Sequence, residues 1–359
     1  MRKRLDSISV LRVLACGGVF ACHVAPVSGA MGIGARIASI GASGVYLFFI
    51  LSGFLAAGEG AFRRSGITAA DYSAYAAKRL RRLLPMYYLV MLAQFVLHTA
   101  VLRDVPPDPR HLGWLRYLFL TNAVIPAPDN FWGNLGATWT VGLFVVSALL
   151  MPFALRWIRV GRGAVYRAAA LYLALAALAG FWERAGGHGF LMCFHYLHYF
   201  ALGALIRVIA EESGERGANA EAGAGGTGRG ILRQALLYLG TVAACAATVY
   251  VLFRSIGYFT AVSWGYGLLA LVTLPLSFGR EDSLLKRAVS FLDRHSYGVY
   301  LVHAAVAEWL YLVKSHIPLS GLAVWVSAVV CTIIGTALVT FCERHLQWLY
   351  RPGKGCKAG

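Results

Sequence analysis

Two side chains near the start of the chain have the chemistry of a functional site. Arg12 and His23 lie eleven residues apart in the apolar stretch 5–23. In an α-helix, this spacing returns to the same face within about 20° and advances about 16 Å. Arginine binds anionic groups, and a neutral histidine acts as a general base or a nucleophile. We therefore expect both side chains on one helix face, about three turns apart.

The composition places this helix in a membrane. Hydrophobic residues make up 58% of the chain and charged residues only 14%, which is typical of a polytopic membrane protein. An arginine inside a bilayer costs about 2.5–3.5 kcal/mol and turns toward a polar interior, so Arg12 marks a functional site. The basic start resembles a secretory signal, but the many later apolar runs favour an uncleaved first helix.

Apolar runs of about 20 residues, each long enough to span a bilayer, recur along the chain and predict an all-α fold with about ten transmembrane helices. We place them near residues 7–26, 38–58, 84–102, 138–157, 164–182, 189–208, 231–253, 256–278, 296–314 and 320–342. Most of the 33 Lys and Arg residues fall in alternate connections, which predicts cytoplasmic N- and C-termini. We therefore attribute the excess of basic residues to membrane topology, and we expect no nucleic-acid partner.

One membrane domain is expected over residues 1–346. The Gly- and Ala-rich stretch 211–230 predicts a disordered cytoplasmic linker within it, and residues 347–359 a short basic cytoplasmic tail. The seven cysteines show no paired spacing and are interpreted as small core residues.

A basic stretch precedes the third predicted span. Thr68 and Asp71 form a potential capping box, and the helix they begin would lie along the inner membrane surface. It carries Lys78, Arg79, Arg81 and Arg82. These charges either grip anionic lipid or bind a polyanionic soluble ligand.

Histidines suggest an alternative class. His195 and His198 share a helix face, as a haem or metal ligand pair would. No second pair of this kind occurs, so we favour hydrogen bonding inside the bundle and predict no metal site. The role of His303 does not follow from spacing alone. A transporter, with Arg12 lining a substrate path, is the main competing function, although no internal repeat supports it.

The chain resembles the membrane acyltransferase family 3, a largely bacterial group that O-acylates sugars and other hydroxyl acceptors. Six blocks carry the resemblance in order: 4–23 with Asp6, Arg12 and His23; 44–54 with Ser52; 79–87; 139–152 led by Trp139; 296–303 with Tyr297 and His303; and Glu343 with Arg344. Many members carry an acidic residue where Tyr46 stands, and many a Glu within the Trp-led block. The resemblance therefore implies that the second span supplies no carboxylate for Arg12.

The resemblance implies an acyl-CoA-dependent O-acyltransferase of the bacterial inner membrane, with no bound cofactor. Its donor would be cytoplasmic acyl-CoA, most simply acetyl-CoA, with the nucleotide end held by the four basic residues of the stretch 78–82. Arg12 would meet the pantetheine arm or the thioester. His23 would act on an acceptor hydroxyl as general base, or carry the acyl group itself. The acceptor would be a cell-envelope glycan or lipid-linked glycan, such as O-antigen, capsule or exopolysaccharide.

Overall fold

The computed structural model describes residues 6–59, 62, 68–102, 113–121, 138–160, 163–184, 193–221, 265 and 284–350, and its regular elements over these residues are helices. They are α1 (Asp6–Ser28), α2 (Gly32–Gly41), α3 (Gly44–Ala57), α4 (Ala69–Val96) with a π-helical extension (Leu97–Leu102), α5 (Gly113–Leu118), α6 (Trp139–Ile158), α7 (Ala164–Arg184), α8 (Cys193–Glu221), α9 (Leu284–His316) and α10 (Gly321–Tyr350). The all-α prediction is confirmed for this part of the chain.

Five helical segments of the described residues are long and apolar enough to cross a membrane. They are Ile8–Ser28, Ala69–Ala100, Trp139–Ile158, Ala164–Trp182 and Gly321–Leu346. Each overlaps a span predicted from the sequence, although Ala69–Ala100 begins 15 residues before the predicted span 84–102. The chain is therefore a multi-pass membrane protein. The total of ten spans and the cytoplasmic termini stay predictions. The predicted spans 231–253 and 256–278 lie outside the described residues.

The second predicted span, 38–58, is wrong as a single helix. The structure ends α2 at Gly41 and begins α3 at Gly44. The backbone at Gly44 runs so close to α1 that a Cβ there would lie 2.7 Å from the Ala15 carbonyl oxygen. Only glycine allows this approach, and the contact partner is remote in sequence.

The disordered linker at 211–230 is wrong for its first half. Helix α8 continues to Glu221, while residues 222–230 lie outside the described part. Its extension begins with Glu211 and Glu212 and is rich in Ala and Glu, which favour helix. Glu211 is also held by Arg159 and Arg207, each at 2.7 Å. At the other end of the domain, α10 continues past residue 346 to Tyr350.

The chain divides into two compact units, defined by residues 1–15, 43–72 and 149–293 for the first and residues 16–42, 73–148 and 294–359 for the second. In the first unit, α8 packs against α3 and α7. The α3–α8 contact depends on Gly53 and Gly203, because a Cβ on either would collide with backbone of the opposing helix, at Phe200 and Ile50 respectively. Small residues that bring backbones together are typical of helix packing in membranes.

In the second unit, α1, α9 and α10 share an apolar core. Val24, Leu310, Val324 and Ala328 are buried there. Helix α5 is joined to α4 because the Tyr87 hydroxyl donates a hydrogen bond of 2.6 Å to the Tyr117 carbonyl oxygen. Within the second unit, the apolar core around Val24 and Leu310 holds α1 against α9.

The capping box predicted at the start of α4 is confirmed. The Asp71 backbone N–H donates to Thr68 Oγ1 at 3.1 Å, and the Thr68 backbone N–H donates to Asp71 Oδ2 at 3.0 Å. These reciprocal bonds satisfy N–H groups that a helix start otherwise leaves without partners. One continuous helix then carries the basic stretch 78–82.

Candidate active site

The predicted intramembrane arginine forms a buried ion pair in the first unit. Arg12 Nη1 on α1 lies 3.3 Å from Asp293 Oδ1 on α9, and Ser9 Oγ donates a hydrogen bond of 2.8 Å to Asp293 Oδ2. The Asp293 side chain is 0% exposed, whereas the Arg12 side chain is 17% exposed. The carboxylate offsets the charge of Arg12 inside the helical bundle.

Sequence reasoning missed Asp293. The predicted span began at residue 296, whereas α9 begins at Leu284 and contains Asp293. The apolar positions Val289, Phe291 and Leu292 were the available signal for an earlier helix start, but no local pattern reveals a partner 281 residues away. Asp293 thus supplies the carboxylate that the second span lacks.

At the position where many family members carry an acidic residue, Tyr46 packs within an aromatic cluster of the first unit. Its ring stacks on Tyr199, with centroids 4.8 Å apart and planes 8° from parallel. It also stacks on Tyr196, with centroids 5.8 Å apart. This position therefore contributes packing between α3 and α8.

The second unit brings His23 together with His303. His303 Nε2 lies 3.3 Å from His23 Nδ1, and the two rings meet edge to face with centroids 4.9 Å apart. His303 is 1% exposed, and His23 is half-buried. The sequence singled out both histidines but did not predict that they touch. Phe20 packs beside His303 and against Trp325.

The hydrogen bonds of the two rings assign their tautomers. His303 Nδ1 lies 3.2 Å from the Val299 carbonyl oxygen, and His23 Nδ1 lies 3.0 Å from the Val19 carbonyl oxygen. A carbonyl oxygen only accepts, so in two neutral rings each Nδ1 carries the proton. His303 Nε2 then accepts, and the His23 N–H is shared between it and Val19. His23 Nε2 consequently keeps the basic lone pair that a general base needs.

The block 296–303 anchors this pair through its tyrosines. The Tyr297 hydroxyl donates a hydrogen bond of 2.8 Å to the Leu83 carbonyl oxygen. Tyr300 lies 2.9 Å from Thr140 between their hydroxyl oxygens, and both residues are buried. These bonds join α9 to α4 and α6, so Tyr297 has a structural contact. A direct site role for it stays a prediction.

The basic residues of α4 do not share one environment. Lys78, Arg81 and Arg82 are exposed, whereas Arg79 is half-buried. The Arg79 guanidinium lies over the Tyr75 ring, 5.3 Å from its centroid. A cation over an aromatic face is held in place, so three of the four predicted residues form the accessible charge.

The remaining candidate residues lie within four helices. Ser52 lies in α3, Trp139 begins α6 and Glu343 lies in α10, and all three are half-buried. Asp6 begins α1, and its side chain is outside the described part. Their site roles stay predictions.

His198, one of the suggested haem ligands, is buried among aromatic rings. It packs against Tyr199 with centroids 4.1 Å apart and lies 6.4 Å from Tyr172. Over the described residues, no three His, Cys, Asp or Glu side chains are grouped so as to hold a metal ion. The aromatic packing gives His198 a structural contact in the first unit.

The first unit of this multi-pass membrane protein holds the Arg12–Asp293 ion pair, and the second unit holds the contacting histidines His23 and His303. Comparison with protein families identifies its class: the model of the acyltransferase domain of acyltransferase family 3 matches residues 5–341, nearly the whole chain. This chain belongs to acyltransferase family 3. No curated protein and no solved structure matches it significantly.

Proposed function

We propose that this protein is an integral membrane O-acyltransferase that moves an acyl group, most simply acetyl, from acyl-CoA to a hydroxyl group of a cell-envelope glycan. Membership of the acyltransferase family supports the reaction class. The donor, the acetyl group and the glycan acceptor are the finer parts of the proposal.

One observation carries the mechanism: the hydrogen bonds of the His23–His303 pair leave His23 Nε2 as a base. The ring is held at Nδ1 by its contacts with Val19 and His303, and the residue is half-buried. A fixed neutral histidine is suited to accept the proton of an acceptor hydroxyl, and His303 acts as its positioning residue.

The reaction balances without a metal ion. The acceptor oxygen forms a C–O bond with the thioester carbonyl carbon, and the C–S bond of the thioester breaks. The hydroxyl proton passes to His23 Nε2 and then to the departing sulfur, which leaves as the thiol of CoA. In the alternative route, Nε2 attacks the thioester carbonyl carbon, the C–S bond breaks and CoA leaves as the thiolate. The acceptor oxygen then attacks the acyl carbon, the C–N bond to the ring breaks, and the hydroxyl proton passes to the thiolate.

The cationic side chains have separate roles toward the donor. Exposed Lys78, Arg81 and Arg82 would attract the phosphate groups of acyl-CoA. Arg12, which is half-buried with 17% of its side chain exposed, would bind the pantetheine arm or the thioester. We place the enzyme in the bacterial inner membrane, with the donor from the cytoplasm and the glycan or lipid-linked glycan acceptor at the outer leaflet.

The test is transfer of radiolabel from acetyl-CoA by the purified full-length protein in lipid vesicles, with an envelope glycan extract as acceptor. We expect label in the glycan with wild type, and loss of that label in His23→Ala and in Arg12→Ala that remain folded.

A wild type that neither binds nor turns over acetyl-CoA or longer acyl-CoA would overturn the proposal. If the same vesicles instead moved envelope precursors across the bilayer, the protein would be a transporter. If acyl transfer survived in His23→Ala, the protein would still be an acyltransferase, but His23 would not be its general base.

A further inference from the structure

We infer that Thr332 and Thr336 on α10 bind the pantetheine arm of the acyl donor through their hydroxyl groups. The inference rests on the proposed function, in which acyl-CoA is the donor. Both threonines belong to the second unit, together with the histidine pair and the basic stretch 78–82, so the argument depends on that unit alone.

The buried face of α10 changes from apolar to polar along the helix. Among the side chains described there, the buried ones lie four residues apart and are those of Val324, Ala328, Thr332 and Thr336. Positions four apart share one helix face, so the threonines continue the stripe that begins in the apolar core of this unit. Thr332 is 3% exposed and Thr336 is 5% exposed. Both side chains are therefore withdrawn from lipid and from bulk solvent.

Both hydroxyl groups are buried without a hydrogen-bond partner among the described residues. An unpaired polar group is costly inside a protein, and the cost is removed where a ligand supplies the partner. The two hydroxyl groups stand on adjacent turns, about 6 Å apart along the helix axis. They therefore suit a ligand that carries polar groups at a similar interval.

Helices α9 and α10 run antiparallel in the second unit. Gly298 on α9 packs against Thr336, because a Cβ on this glycine would lie 2.8 Å from Thr336 Cγ2. Leu310, further along α9, shares an apolar core with Val324, which comes earlier in α10. These two contacts fix the register between the helices.

This register puts Thr332 at about the height of the histidine pair. Counting from the contact at Gly298 at about 1.5 Å per residue, Thr332 lies one turn along α10, and His303 lies slightly more than one turn along α9. A third contact agrees to within one turn, since a Cβ on Gly335 would lie 2.7 Å from Val302 Cγ1.

Thr336 lies at the height of the basic part of α4. It packs on Gly298, and the neighbouring Tyr297 donates a hydrogen bond of 2.8 Å to the Leu83 carbonyl oxygen. Leu83 directly follows the basic stretch 78–82. Along the membrane normal, the two hydroxyl groups therefore lie in order between the side chains proposed to bind phosphate and the proposed base.

The chemistry of the donor matches this order. Pantetheine carries two amide groups joined by two methylene groups, and two further methylene groups separate the second amide from the sulfur. With the phosphate groups at the basic stretch, the amides would lie along the threonine stripe and the thioester would follow, toward the histidine pair. A hydroxyl group both donates and accepts, so it can bind either an amide N–H or an amide carbonyl oxygen.

A purely structural role for these hydroxyl groups makes a different prediction. If they bonded only to buried water or to carbonyl groups of their own helix, their removal would leave the affinity for the donor unchanged. If they bind the donor arm, their removal would raise the KM for acetyl-CoA. The unfolding temperature of the ligand-free protein would then stay equal or rise, because a buried unpaired group is lost.

The test uses Thr332→Val and Thr336→Val, which keep the shape of the side chain and remove the hydroxyl group. For each full-length protein in vesicles we measure kcat and the KM for acetyl-CoA, together with inhibition by CoA and by adenosine 3′,5′-bisphosphate. The second inhibitor has the nucleotide end of CoA without the amides. Thr99→Val is the matched control, because the Thr99 hydroxyl donates a hydrogen bond of 2.6 Å to the Phe95 carbonyl oxygen in the preceding turn.

We expect each variant to raise the KM for acetyl-CoA and the inhibition constant of CoA about fivefold, with kcat within about twofold of wild type. Inhibition by the bisphosphate and the kinetics of Thr99→Val should stay within about twofold of wild type. Thr332→Ser and Thr336→Ser, which retain the hydroxyl group, should restore the KM. Should a valine variant not fold, the alanine variant at the same position replaces it.

An unchanged KM in both valine variants, or an equal weakening of CoA and of the bisphosphate, would overturn the inference. These outcomes differ from a failure of the proposed function. A wild type without acyl transfer or acyl-CoA binding removes the function and the inference together, whereas transfer by wild type with an unchanged KM in the variants removes the inference alone.

Discussion

Two buried ion-pair clusters in the first unit hold their arginines in different ways. The Arg12 and Arg159 side chains have the same exposed fraction, 17%. Arg12 lies 3.3 Å from Asp293, whereas Glu211 has hydrogen bonds of 2.7 Å from both Arg159 and Arg207. The two arginines are therefore equally exposed, while the printed distances to their carboxylates differ.

The cluster of Glu211, Arg159 and Arg207 has the geometry of an interaction that stabilises the fold. Arg159 also donates a hydrogen bond of 3.1 Å to the Ala57 carbonyl oxygen at the end of α3. Arg207 lies over the Phe54 ring, 5.1 Å from its centroid. Short charge-assisted bonds to several elements stabilise a fold. The contact between Arg12 and Asp293 is longer, at 3.3 Å, and our proposal assigns Arg12 to binding of the acyl donor.

The largest expected effect is a difference in acyl-transfer activity between the variants Arg12→Gln and Arg159→Gln. Arg12→Gln should lower kcat/KM for acyl transfer about 100-fold, because a lost charged hydrogen bond in the transition state costs about 1.5–3 kcal/mol. Arg159→Gln should leave the folded protein within about threefold of wild type. Initial rates per folded protein measure the difference. Equal losses in both variants would abolish the distinction between the clusters.

The second prediction concerns stability, where we expect the larger loss in the Glu211 cluster. Glu211→Gln should destabilise the protein by about 1.5–3 kcal/mol, because two partly buried guanidinium groups lose their charged hydrogen-bond partner. Asp293→Asn should cost less, since the contact of Asp293 with Arg12 is longer, at 3.3 Å. Thermal unfolding in matched detergent compares them. A larger loss of stability in Asp293→Asn would show that the Arg12–Asp293 ion pair stabilises the fold more than the Glu211 cluster does.

A pH series sharpens the role of Glu211, which lies outside the candidate spans. Burial alone would raise its pKa, but hydrogen bonds and charges from Arg159 and Arg207 outweigh this and hold the pKa below its ordinary value of 4.5. A carboxyl with a lowered folded-state pKa stabilises the fold above its unfolded-state pKa, and this stabilisation is lost as the pH falls through the lower value.

The stability difference between wild type and Glu211→Gln should therefore be constant near neutral pH and shrink below pH 4.5. Thermal unfolding across this range measures it. A difference that grows on acidification would contradict the assigned direction.

The smallest effect is expected at Ser9. Ser9→Ala removes one hydrogen bond to Asp293 and retains both charges, so it should cost about 1 kcal/mol of stability. Thermal unfolding of the two proteins measures this change. A stability equal to that of wild type would show that the hydrogen bond between Ser9 and Asp293 does not stabilise the fold.

Local patterns predicted much of the fold. The five described spans follow from runs of apolar residues, and the start of α4 follows from the Thr68 and Asp71 side chains. The break before Gly44 could not be predicted in the same way, because it depends on the approach of the Ala15 backbone. Local side-chain chemistry is visible in a sequence, whereas backbone proximity is not.

The candidate site shows the same limit. Arg12 and His23 were predictable because a charge in an apolar helix stands out from its surroundings. Their contacts with Asp293 and His303 join positions about 280 residues apart, and nothing in the spacing of the chain selects those partners. Asp293 was additionally hidden because its helix begins earlier than its apolar run.

The most direct test of the proposed chemistry compares two histidines that make the same local hydrogen bond. His345 Nδ1 lies 2.9 Å from the Phe341 carbonyl oxygen on α10, as His23 Nδ1 does from Val19 on α1, but His345 is exposed. Single-turnover transfer of labelled acetyl from acetyl-CoA to glycan is measured for His23→Gln and His345→Gln. The account predicts a loss of about 100- to 10,000-fold for His23→Gln and a wild-type rate for His345→Gln. Equal rates in the two folded variants would contradict it.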